Sequence, residues 1–145
     1  REEFWRVTAG LDRAIAPEVF LTFEVHWNGF GSDDPAEYRT VAESDRVRRG
    51  EVTSLARLYS GLSVSWQAHP LWSLSAAVLA NWDDGSTLLQ PSATWSSSDN
   101  STVQLGLSLG IGRGLLFLEG EEEPQLGSEF GFVPVTLWGS YRLFF

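Results

Sequence analysis

Apolar residues occupy every second position through most of the chain, the period of a strand with two unlike faces, and helical spacing is hard to find. The alternation predicts about seven strands, over residues 3–14, 19–28, 54–67, 71–81, 87–97, 102–118 and 132–145. In the first, Trp5, Val7, Ala9 and Leu11 share one face and Arg6, Thr8, Gly10 and Asp12 the other. In the second, Val19, Leu21, Phe23, Val25 and Trp27 oppose Phe20, Thr22, Glu24, His26 and Asn28. The later apolar faces carry Leu62, Val64 and Trp66, then Trp72, Leu74 and Val78, then Leu89, Ala93 and Trp95, then Leu105 and Leu107, and last Leu137, Tyr141 and Leu143. Pro-containing turns follow strands one and three. Asp83-Asp84-Gly85-Ser86 is a strong hairpin signal, because Gly tolerates the positive φ such turns need. Pro91 is a misfit in a paired strand, since it lacks an N–H, and Arg113 interrupts the apolar face of strand six.

The opposite faces are unusual. They are mainly Ser, Gly, Thr, Gln and Asn, while charges gather in the connections, at Asp33, Asp34, Glu37, Glu43, Asp45, Asp83, Asp84 and 119–123. A soluble barrel or sandwich also alternates, but its wet face should be rich in long charged side chains. Small polar residues suit the enclosed side of a barrel better. The tryptophans agree. Trp5, Trp27 and Trp82 lie at the strand ends beside the long or acidic connections, and Trp66, Trp72 and Trp95 at the ends beside short turns; Trp138 alone breaks the pattern. Two indole belts flanking an aliphatic band are what the two interfaces of a bilayer select. Strands of roughly 10 to 14 residues suffice for a tilted crossing, and unpaired backbone in lipid would force the sheet to close into a barrel.

Composition narrows the picture further. A chain of 145 residues with 43% hydrophobic content suits one domain. All ten basic residues are Arg and the formal charge is −9, which argues against a nucleic-acid partner. Absence of Cys excludes a disulfide framework, Cys-ligated zinc and thiol catalysis. No apolar run reaches the length of a membrane-spanning helix. The opening "REEFWRV" lacks Met and reads as a processed chain or a piece of a longer one.

The terminal "VTLWGSYRLFF", with Leu137, Tyr141 and Leu143 alternating up to Phe145, together with "NWDDGSTLLQPSATWSSSDNSTVQLGLSLG", resembles the C-terminal portion of a Gram-negative outer-membrane β-barrel of porin or export type. The resemblance covers about residues 54–145. It implies an all-β, antiparallel up-and-down transmembrane barrel in the bacterial outer membrane. Lipid bilayer and lipopolysaccharide would surround it, and the barrel-assembly machinery would read the last strand. It also places the 29–53 and 119–131 connections outside and the short turns in the periplasm. Seven strands is odd, whereas bacterial single-chain barrels normally have an even number. Either further strands of a larger barrel complete the ring, or an eighth strand hides in 36–51.

Arg6, Asp12, Glu24, His26, Arg57 and Arg142 fall on the polar face and are the candidate pore-lining groups; paired, solvated lumenal charges are the plainer alternative. Trp5, Trp27, Trp66, Trp72, Trp82, Trp95, Tyr141 and Phe145 are the candidate membrane-interface aromatics. No Ser-His-Asp arrangement stands out among so many serines, so no catalytic residue is assigned. "EGEEEP" at 119–124 could hold a divalent cation but reads as a solvated acidic loop. Gly106, Gly110, Gly112 and Gly114 share one parity and read as an inward strand face rather than a phosphate-binding loop. No metal or cofactor is called for. The expected function is a channel for small polar solutes or ions, the alternative a structural or adhesion barrel with a filled lumen, and third an outer-membrane enzyme.

Overall fold

The computed structural model describes residues 3–117 and 124–145. The chain is all-β. Its main sheet contains, in chain order, β1 (Arg6–Ala16), β2 (Val19–Asn28), β3 (Leu58–His69), β4 (Trp72–Asn81), β5 (Thr87–Ser98) and β6 (Ser101–Ile111). A separate ribbon of β7 (Leu115–Leu116) and β8 (Gln125–Leu126) follows, and β9 (Thr136–Leu143) returns to pair with β6. Every ladder is antiparallel and joins neighbours, giving an up-and-down meander. Three hairpin ends carry register shifts, at Ala14/Ala16, Trp66/His69 and Ser96/Ser98; these mark a turn rim, opposite the loop rim formed by 29–57, 82–86, 112–117 and 124–135. At the loop rim Gly85 has φ 73°, which the Asp83–Ser86 turn requires.

Register sorts the side chains into two faces, because directly paired residues point the same way. Leu11, Phe23, Leu62, Val78, Leu89 and Leu109 form one apolar row across six strands. The row one residue away reads Gly10, Glu24, Gly61, Leu79, Leu88 and Gly110. Nothing in the described chain covers the apolar face: Leu74 is 37% exposed, Leu105 56% and Leu137 77%. The buried cluster of Tyr38, Ala56, Tyr59 and Phe130 lies instead on the Ser- and Gly-rich face, at the loop rim. This reverses a soluble half-buried sheet, whose core covers the apolar side.

Pro91 pairs across to Ala76 of β4, and the β5–β6 ladder skips Gln90 and Pro91. The missing N–H therefore leaves a gap on one side only, and Gln90 Nε2 bridges it by donating to Ser108 Oγ at 3.2 Å. Strand six stops at Ile111 rather than near residue 118, and strand seven begins at Thr136 rather than 132. Two local features account for this. Gly112 packs so closely against Ser128 Oγ and Ser86 that the chain leaves the sheet there, and Pro134 precedes β9.

No eighth strand lies in 36–51. That stretch is helical: a 3-10 turn Pro35–Glu37, α1 (Tyr38–Glu43) and α2 (Asp45–Arg48), with Asp34 and Ser44 accepting from backbone N–H groups as N-caps. The sheet also does not close among the described residues. β1 and β9 are its two edges, and both run from loop rim to turn rim.

Candidate functional site

The polar face supplies the site. On the β1–β2 hairpin, Thr8 Oγ1 and His26 Nδ1 share a hydrogen bond of 2.7 Å. Glu24 stands one rung away between two glycines, Gly10 on β1 and Gly61 on β3. A Cβ at Gly10 would lie 2.8 Å from Glu24 Cγ, so the Glu24 stem occupies the space glycine leaves, while a Cβ at Gly61 would meet nothing within 4 Å. A groove of about 160 Å³ runs beside it, lined on this face by Thr22, Glu24, Gly61, Ser63, Ala77 and Leu79. Asp12 pairs with Thr22 on the next rung.

The basic candidates separate from this hairpin. Arg6 shares the face, but its Nη1 donates to the Glu51 carbonyl at 3.0 Å and its guanidinium lies 5.5 Å from the Phe4 ring centre. Arg57 precedes β3 and is bound up in the loop rim: Nε donates to Gly31 O at 2.8 Å and Nη1 lies 3.2 Å from Asp33 Oδ1. Arg142, opposite Thr102, is at the far edge of the sheet near the turn rim. Asp12, Glu24 and His26 therefore form a group, with Arg6 tethered above it and Arg57 and Arg142 elsewhere.

A folded cap at the loop rim had no counterpart in the alternation. Its centre is Glu129, which is buried. Glu129 Oε2 accepts from Tyr59 Oη and from Asn81 Nδ2 (2.9 Å), and Oε1 accepts from Leu55 N at 3.1 Å. Asn81 Nδ2 also donates to Tyr38 Oη and Asp84 Oδ2, at 3.2 and 3.0 Å, and Asp84 Oδ2 accepts from Glu129 N at 2.6 Å. Asn28 Nδ2 fixes the other side through Ser54 Oγ and the Ala56 carbonyl, at 3.1 and 3.3 Å. Burial is the main cause that pushes the Glu129 carboxyl above its ordinary range, and burial likewise raises the Tyr38 phenol. Sequence offered only a faint signal: Asn28 and Asn81 are polar residues on the enclosed parity beside a tryptophan at a strand end. Glu129 sits in an aperiodic segment and gave none.

The aromatic residues fall at two levels. Trp5, Trp27 and Trp82 are at the loop rim, with Trp82 Nε1 donating to Ser60 Oγ at 2.9 Å. Trp66, Trp72, Trp95 and Tyr141 are towards the turn rim, where Trp72 and Trp95 stack at 5.8 Å. Phe145 is fully exposed beyond β9. Trp138 belongs to neither belt: it faces the polar side and lies on Gly106, where a Cβ would come within 2.2 Å of its ring. Residues 119–123, the acidic run, lie outside the described residues. Among those described, no group of three or more His, Asp or Glu is placed to hold a metal, and no helix is long and apolar enough to cross a membrane. No known family model matches the chain, and no curated protein or solved structure is similar to it.

Proposed function

We propose that this chain is the wall of a bacterial outer-membrane β-barrel that passes small polar solutes or ions along its Ser- and Gly-rich face. One observation carries the reading. An apolar face seven strands wide is bare of protein, while loops and core pack on the polar face. Bare apolar area of that extent is foreign to a soluble monomer and suits lipid. Aromatic belts at the two rims fit headgroup level, with lipopolysaccharide at the loop rim, and the strand ending in Phe145 suits recognition by the assembly machinery.

The folded cap covers the polar face at the loop-rim ends of β2 to β6. β1 is exposed along its whole length, so in a ring widened by further strands the cap narrows the mouth from one side. In a ring little wider than these seven strands the same cap would fill it, which favours a structural barrel as the second reading. Conductance of the full-length protein in a planar bilayer separates them: ohmic steps are expected for the pore, and a silent bilayer with protein inserted overturns it.

A further inference from the structure

We infer that the passage favours cations, and that Glu24 and Asp12 set the preference; this deepens the pore reading and rests on it. On the polar face these two carboxylates stand on adjacent rungs of the β1–β2 hairpin, close enough to act on the same passing ion. Among the described residues no ion pair or side-chain hydrogen bond engages either one. Glu24 also borders the open groove, with empty space on its β3 side where Gly61 has no side chain.

The described arginines that could cancel them are held elsewhere or stand apart; Arg113 lies past the end of β6, at the loop rim. Arg39 lies against Glu43, Arg46 and Arg49 against Glu51, and Arg48 against Asp45, all within the cap. Arg57 is paired with Asp33 and Arg6 is held by the Glu51 carbonyl. Arg13 pairs with Leu21 and so points to the apolar face, and Arg142 is across the sheet. Among the described residues, the unpaired charge on the polar face beside the β1–β2 hairpin is negative, with Arg142 apart at the opposite edge of the sheet, and Asp83 and Asp84 at the loop rim carry the same sign. Carboxylates lining a narrow passage favour cations by direct Coulomb attraction, as rings of Asp and Glu do in cation channels.

The test is the reversal potential of the full-length protein in a planar bilayer under a potassium chloride gradient. The expected permeability ratio of potassium over chloride is about 3 or more, falling to about 1 in the Glu24→Gln, Asp12→Asn double variant. A charge-keeping variant, Glu24→Asp with Asp12→Glu, should retain the preference and so separates lost charge from misfolding. Steps without cation preference, or a preference unchanged in the double variant, overturn the inference and leave the pore. Absence of steps in the unaltered protein overturns both.

Discussion

At the scale of single residues, the cap depends on one carboxyl group. Glu129 accepts three hydrogen bonds, which favours the ionised form, but burial outweighs them and its proton is held more tightly than usual. Asp84, against the Glu129 backbone, pushes in the same direction as burial. Folded Glu129 therefore keeps its proton at pH values where the unfolded chain, with an ordinary carboxyl near 4.5, has lost it. The folded state binds more protons there, so cap stability falls as pH rises from that ordinary value to the raised one and is level above it. Amide protection factors at Leu55 and Phe130 should decline across that window. Glu129→Gln, weaker at low pH because its amide meets a donor, should show a flat profile. Gly106 makes a second residue-scale case. With Trp138 lying on it, Gly106→Val overpacks the polar face by about 1–3 kcal/mol in a denaturant titration, and Trp138→Ala in the same chain should recover part of the loss.

At the scale of elements, the strands were legible because a two-residue period is repeated and the turns carry Pro or Asp-Gly chemistry. Leu11, Phe23 and Leu62 needed only parity to be placed on one face. Glycine parity was readable in part: Gly106 and Gly110 lie on the polar face of β6 and receive another segment at close range, whereas Gly112 and Gly114 lie past the end of the strand and Gly114 meets nothing. Legibility failed where periodicity failed. The run past Ile111 keeps an apolar alternation through Leu115 and Phe117, yet contact with Ser86 and Ser128 takes it off the sheet. Residues 35–48 form short helices whose stability comes from caps and from Tyr38 packing, neither of which has a long-range sequence period. Arg57 kept the right parity but lies one residue outside β3, so the loop claims it. The two faces of β4 give a direct test. On the proposed membrane reading, Ala76→Arg, on the apolar face midway along the strand, should cost about 2–4 kcal/mol of bilayer-embedded stability, while Ala77→Arg, next to Ser63 and Gln90, should cost well under about 1. Equal costs in urea titrations from liposomes would remove the lipid assignment.

At the scale of the whole molecule, the open sheet limits how a ring forms. β1 and β9 point the same way, so joining them directly makes a parallel seam in an otherwise antiparallel sheet. Antiparallel closure needs an odd number of added strands, the first running from turn rim to loop rim beside β1. Two bare edges are unfavourable in water and more so in lipid, where each unpaired N–H or carbonyl costs several kcal/mol. The chain has no Cys, which makes the seam easy to probe. With Ala9→Cys on β1 combined in turn with Leu137→Cys, Gly139→Cys and Tyr141→Cys on β9, all on the apolar face, a direct seam would bring one pair within the roughly 4.4–6.8 Å Cα separation a disulfide needs. On the proposed wider ring none should cross-link within one chain in liposomes, because the strands that reading adds would hold the edges apart. Rapid oxidation of any of the three would instead establish a seven-stranded ring with a parallel seam, too narrow to leave passage beside the cap.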